Sequence, residues 1–380
     1  MSYEPIAGSI IFDALRDRDC IVLAGNVRVT KGVLRGFFRA AKDADAAVMV
    51  EMAKSECNQH TGYTGHTPKT YAKAAREAAA EVGHDIWALH ADHITVKKGD
   101  EAELADTEEL IAEQIDSGFT SFAIDASYQF DFDGGTHLEQ LTPNIEVTTR
   151  LAKFIEEKTA GGAYGLEVEV GEIGKKDEHG MVLTSPEEAV VFISALKERG
   201  VRPHVLAVAN GSTHGNVYDE HGYPIRQVAI DLERTKEIAR ALREAGHDVR
   251  IAQHGITGTP LDLIATKFPR GDIIKGNVGT QWQNIVWDVL SVFAPELYGD
   301  IRDWTLGKYM KEGKREEEIF GKSSKYAIKE FFERIYAVDE STERALEAAA
   351  YADALKFLRA FGAEGSAETV RRHMKSRSAG

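Results

Sequence analysis

Eight short apolar runs recur along this chain, and each is followed by a segment of helical periodicity. They occupy residues 21–25, 46–52, 86–90, 121–125, 166–170, 204–209, 249–253 and 272–276. Continuous apolar strands that alternate with amphipathic helices imply a parallel sheet covered by helices. Eight such units predict an α/β chain folded as a closed (β/α)8 TIM barrel. No Gly-x-Gly-x-x-Gly turn follows the first run, which argues against an open dinucleotide-binding sheet. Helix starts are legible at Thr67-Pro68 and Ser185-Pro186, where an N-cap hydroxyl precedes a proline. After the eighth barrel helix (281–293), residues 326–335 and 343–361 again read as helical. The expected organisation is a barrel over 1–295, a helical extension over 296–370 packed on the barrel or on a neighbouring subunit, and a polar, disordered tail over 371–380.

The polar positions that break this pattern fall at the C-terminal ends of the runs, where barrels carry their reactive groups. The third run ends in His90-Ala91-Asp92-His93. Alternation puts His90 and Asp92 on one face, with His93 the first residue to leave the strand. The fourth run ends at Asp125, and the fifth holds Glu167 and Glu169 two residues apart. The first, sixth, seventh and eighth end in Asn26, Ser212-Thr213-His214-Gly215, His254-Gly255-Ile256-Thr257 and Asn277. Each alone reads as an ordinary polar strand end. In a closed barrel they meet around one axis, and so many ionisable groups are expensive to bury together unless a metal or a ligand satisfies them.

Composition narrows the partners. With 61 acidic against 46 basic residues and a net charge of −15, a nucleic-acid partner is not expected, because a phosphate backbone needs a basic field. Small phosphorylated ligands remain compatible, since backbone amides bind them locally. Two cysteines make no disulfide framework, and no apolar run approaches the ~18 residues of a membrane span. A cytoplasmic protein without a membrane partner is expected.

The motifs then resemble those of the class II, metal-dependent fructose-1,6-bisphosphate aldolases. The resemblance rests on His-Ala-Asp-His at 90–93, Ile-Asp-Ala-Ser at 124–127 and Leu-Glu-Val-Glu-Val-Gly at 166–171. Thr-His-Gly at 213–215, His-Gly-Ile-Thr-Gly at 254–258 and Ile-Lys-Gly-Asn-Val at 274–278 continue it. It implies a Zn2+ ion held by His93, His214 and His254, and Asp92 as acid/base at a C4 hydroxyl. Three imidazoles also suit another divalent transition metal, and no organic cofactor is implied. Asp125 and Glu169, with His90, match positions that hold metal in a second arrangement, and Glu167 is placed to orient ligand imidazoles. Gly215, Gly255 and Thr257 match phosphate binders; Asn277 and Asn26 match substrate contacts. Asp177 or Glu178, in the loop after the fifth strand, is the expected carrier of a C3 proton. The implied partners are a phosphorylated ketose and triose phosphates, in a homo-oligomer.

The chain also departs from the pattern. Gly279 stands where an acidic or amide side chain is usual, and Lys322 and Lys325 are the candidates for a basic residue at a distal phosphate. Residues 58–65 resemble a segment of the non-catalytic subunit of tagatose-bisphosphate aldolases. Two further readings follow: an aldolase for tagatose bisphosphate or another phosphorylated ketose, and a non-catalytic barrel supporting a separate aldolase.

Overall fold

In the computed structural model, which describes residues 2–171, 176–177 and 180–378, the eight runs become eight parallel strands. They are β1 (Val22–Gly25), β2 (Val48–Ala53), β3 (Trp87–Thr95), β4 (Ser121–Asp125), β5 (Gly165–Val170), β6 (Val205–Val208), β7 (Arg250–Gln253) and β8 (Ile273–Val278). Each pairs with its sequence neighbours, and β1 pairs with β8 to close a barrel. Thr67 and Ser185 cap their helices through Thr70 and Glu188.

Two apolar layers hold the fold. Outward-facing strand residues such as Leu23, Val50, Leu89 and Val168 pack against the surrounding helices. Inward-facing Val22, Ala24, Met49, Ala88, Val205 and Ala207 fill the N-terminal half of the barrel bore. Helix Gly8–Leu15 closes that end with the fully buried Ile11, Phe12 and Leu15. Each such side chain contributes about 1.5–3 kcal/mol. The lower bore is therefore mainly apolar, and its ionisable residues stand above it.

Two bulges set that polar layer. Between Ala91 and Ile94 the register with β4 gains a residue, and His93 takes a φ of +38°. The strand does not end at His93 but continues to Thr95; the bulge turns Asp92 and His93 into the mouth together. A second extra residue lies between Ile273 and Lys275, bringing Lys275 into the bore.

Beyond the barrel, helix Glu340–Ala360 lies along Val33–Asp43. The two approach so closely at Gly36 that a Cβ there would fall 2.2 Å from the Glu347 carbonyl oxygen. The tail differs from the disordered segment expected at 371–380. Residues Ser366–Ser378 form a helix, with Ala367 and Val370 buried under the barrel floor. Arg371 ties it to Asp85 and Asp45 at 2.7 Å each.

Candidate active site

The upper bore opens into a cavity of about 630 Å³ lined from all eight strand ends and from the C-terminal helices. Its floor is an ionic layer. Lys275, wholly buried, lies 2.8 Å from Glu167, 3.1 Å from Glu51 and 3.8 Å from Asp92. Its ammonium also donates to His90 Nε2 at 3.1 Å, so the His90 proton sits on Nδ1 and is donated to Ser121 Oγ at 2.7 Å. Burial, and then Lys275, push His90 down to about 3, which keeps the ring neutral. Burial opposes ionisation of Glu167, but Lys275 and His254 outweigh it and hold the carboxyl below the usual range. Glu51 goes the other way: burial and the charge of Asp92 raise it well above that range.

Above this floor the three expected imidazoles converge. Ring centroids of His93 and His254 are 4.4 Å apart, those of His93 and His214 5.1 Å, and those of His214 and His254 6.1 Å. His254 Nε2 shares its proton with Glu167 Oε1 at 2.8 Å, which leaves Nδ1 for a metal. His93 Nδ1 faces Glu169 at 3.1 Å and Asp125 at 3.5 Å, while its buried Nε2 has no partner. An orphaned buried imidazole nitrogen beside two more imidazoles suits a borderline-soft divalent ion. Among the described residues, donor atoms of Asp92, His93 and His254 lie within 4.8 Å of one another, as do those of His93, Asp125 and Glu169. His214 belongs to neither tight group; it is the most exposed of the three rings, on the cavity wall.

The second arrangement needs correcting at one residue. Asp125 and Glu169 share it with His93, not with His90. Both His90 nitrogens are engaged, and the place among Glu51, His90 and Asp92 is filled by the Lys275 ammonium. Burial and the neighbouring Asp125 push Glu169 up to about 8. Asp125 stays below the ordinary carboxylate range because His93 and Ser127 outweigh its burial.

Asp92 is held by two amides. Asn26 Nδ2 donates to Oδ2 at 3.0 Å, and Asn277 Nδ2 donates to Oδ1 at 3.2 Å. Burial would raise its pKa, but the charges of His93 and Lys275 win, and Asp92 is an anion well below its usual range. Opposite lies a small nest. The N–H groups of Gly215, Gly255 and Thr257 donate to no acceptor among the described residues. Gly255 is required there: its φ is +67°, and a Cβ would meet the Thr213 carbonyl oxygen at 2.6 Å. Gln227 Nε2 donates to the Gly255 and Thr257 carbonyls, so the turn presents its amides to an anion.

The structure brings together Asn26, Asp92, His93, Asp125, Glu169, His214, Gly215, His254, Gly255, Thr257 and Asn277 around one cavity. Glu178 lies outside the described residues, as does the side chain of Asp177, whose backbone pairs with Gly180. Lys325 lines the cavity, whereas Lys322 pairs with Glu318 at 2.6 Å and does not line it. Sequence reasoning missed Glu51, Glu56, Arg28, Gln227 and the interior role of Lys275. The one signal for Lys275 was a lysine inside an apolar run, opposite inward-facing carboxylates.

The family model described as "Fructose-bisphosphate aldolase class-II" matches residues 8–375. The fructose-bisphosphate aldolase of Streptococcus pneumoniae is 26% identical over 263 residues, covering 68% of this chain and 72% of that protein. Among solved structures, fructose-bisphosphate aldolase from Campylobacter jejuni aligns with a TM-score of 0.62 at 17% identity, covering 96% of this chain and 97% of that one. The YdjI aldolase of Escherichia coli K12 aligns at 0.60 and 18% identity, covering 95% and 99%. At these identities the structural likeness concerns the fold.

Proposed function

The chain belongs to the class-II fructose-bisphosphate aldolase family, and from that premise we propose that it reversibly cleaves fructose 1,6-bisphosphate to dihydroxyacetone phosphate and glyceraldehyde 3-phosphate with the aid of zinc. The observation that carries this reading is the convergence of three imidazoles beside a buried, ionised Asp92. His93, through its free Nε2, with His214 and His254, would hold the metal. A zinc ion bound there supplies a Lewis acid that polarises a ketose carbonyl and stabilises the negative charge left when the carbon–carbon bond breaks.

The chain's own groups do the rest. Asp92 takes the proton of the C4 hydroxyl as the C3–C4 bond breaks, and returns it in the reverse direction. Asn26 and Asn277 fix the carboxylate on both oxygens, so its orientation needs no reorganisation at that moment. Glu167 holds the His254 tautomer. The amides of Gly215, Gly255 and Thr257 bind one phosphate and so place the ketose over the imidazoles. Asp177 or Glu178 is retained as the proposed carrier of the C3 proton. The buried free thiols of Cys20 and Cys57 accord with a reducing cytoplasm.

A non-catalytic role is less well supported, because such a subunit has no chemical need for the imidazoles and Asp92 in this arrangement. The test is release of triose phosphate by the purified protein alone. Cleavage lost to EDTA and restored by zinc supports the reading; full activity without bound metal, or none with zinc, overturns it. Relative kcat/KM values for fructose and tagatose bisphosphates decide between the two ketoses.

A further inference from the structure

A short hairpin rises from the cavity rim two residues after His214. Its strands, Val217–Tyr218 and Pro224–Ile225, pair antiparallel, with Tyr218 opposite Pro224 and Val217 opposite Ile225. The Asp219 carboxylate accepts from the His221 and Tyr223 N–H groups at 2.9 Å each, so the tip is internally braced. The leaving root is fixed to the site: Gln227 accepts from the Thr213 hydroxyl at 2.7 Å, and its N–H donates to the Gly258 carbonyl at 3.0 Å. The entering root is not. Neither His214 nor Gly215 takes part in a backbone–backbone hydrogen bond among the described residues. The place of the third imidazole therefore depends on where the hairpin is seated, and a hairpin this short does not hold itself in place.

Its seat is formed by helices that follow the barrel strands. Asn216 exchanges amide hydrogen bonds with Asn284 of helix Thr280–Phe293, at 3.4 and 3.2 Å. The Tyr218 hydroxyl accepts from Asn216 Nδ2 at 3.3 Å, and the ring lies against Gly321 of helix Glu316–Ser323. A Cβ at Gly321 would overlap that hydroxyl and lie 2.6 Å from Cζ, so the ring fits only over glycine. Glycine inside a helix is unfavourable relative to alanine, and the ring occupies the space that an alanine methyl would take. Lys322 Nζ stands 5.5 Å from the centre of the same ring. Tyr218 itself does not line the cavity.

We propose that Tyr218, seated on Gly321, is a positioning residue through which the C-terminal helices hold His214 beside His93 and His254. Of the three rings His214 is the most exposed and stands outside both tight donor groups, so it is the one that needs an external hold. The helical extension thereby completes the imidazole set without contributing a ligand. This deepens, and rests on, the reading of that set as the metal site of an aldolase. Only geometry is involved; no bond is made or broken.

The test compares the wild type with Gly321→Ala, Tyr218→Ala, the double variant and the conservative Tyr218→Phe, each checked for folding by circular dichroism. In competition with a chromophoric chelator, Gly321→Ala and Tyr218→Ala each bind zinc about tenfold to a hundredfold more weakly, whereas Tyr218→Phe stays within about threefold of the wild type. The visible absorption of the cobalt(II)-loaded protein, which reports the ligand set, changes in the same two variants. Without the ring an alanine at 321 meets nothing, so the double variant is no weaker than Tyr218→Ala alone. Weakened zinc binding in the two single variants, with no cleavage by the zinc-loaded wild type, upholds the positioning role and removes the aldolase reading. Unchanged zinc affinity and an unchanged cobalt spectrum in Tyr218→Ala overturn the positioning role whatever the wild type cleaves. Losses that add in the double variant overturn the seat on Gly321, and a wild type that binds no zinc overturns both readings.

Discussion

Glu167 Oε1 and His254 Nε2 share a hydrogen bond of 2.8 Å at the floor of the cavity. The other oxygen of the same carboxylate lies 2.8 Å from Lys275. One buried side chain thus joins a proposed metal ligand to the cation that neutralises the bore. Loss of such a partner typically lowers metal affinity about 10- to 100-fold. Glu167→Ala is expected to do so in competition with a chromophoric chelator, and Glu167→Gln, which keeps an acceptor, to do less. Equal zinc affinity in all three proteins would contradict the orienting role.

The role proposed for Asp92 is in the chemistry and not in metal binding. Asp92→Ala is expected to lower kcat by about 10²- to 10⁴-fold, the range of a general acid–base contribution, while zinc content stays stoichiometric. His254→Ala should lose zinc and turnover together. Asp92→Ala that loses its metal, or turns over normally, would remove Asp92 from the proposed role.

Lys275 is the keystone of the ionic floor. Removing one partner of a buried ionic cluster costs about 3–5 kcal/mol. Lys275→Met leaves Glu51 and Glu167 without their shared cation, and guanidinium unfolding of metal-free protein should show a loss of that order. A change below about 1 kcal/mol would mean that the carboxylates take up protons at little cost.

The C-terminal helix gives a pH prediction. The Arg371 guanidinium bonded to Asp85 holds that carboxyl below its usual value. A depressed folded pKa contributes stability that is present above the unfolded value, about 3.9, and lost as pH falls through the folded one. Arg371→Ala should therefore cost about 1 kcal/mol at pH 7 and progressively less below pH 4. Urea unfolding at several pH values measures the gap, and one that is constant with pH would contradict the pairing.

Much of this site was legible because strand alternation is a rigid rule. His90, Asp92, Glu167 and Glu169 all point inward as a period of two requires. What escaped the pattern was the breaks in the period themselves, although His93, at one of them, was expected as a ligand. The bulge that turns His93 into the mouth adds a residue without any special amino acid to announce it. The one at Ile274 likewise hid Lys275 inside an apolar run. Arg28 and Glu56 lie outside the strands, where no periodicity relates residues that meet only in the closed barrel. The polar tail formed a helix because Ala367 and Val370 find an apolar floor that composition alone does not reveal.

The most direct measurement is anomalous diffraction at the zinc edge from crystals of the metal-loaded protein. The account predicts one strong peak in the barrel mouth, about 2.0–2.1 Å from His93 Nε2 and from one ring nitrogen each of His214 and His254. A peak bound instead among Glu51, His90 and Asp92, or none near the three imidazoles, would contradict it.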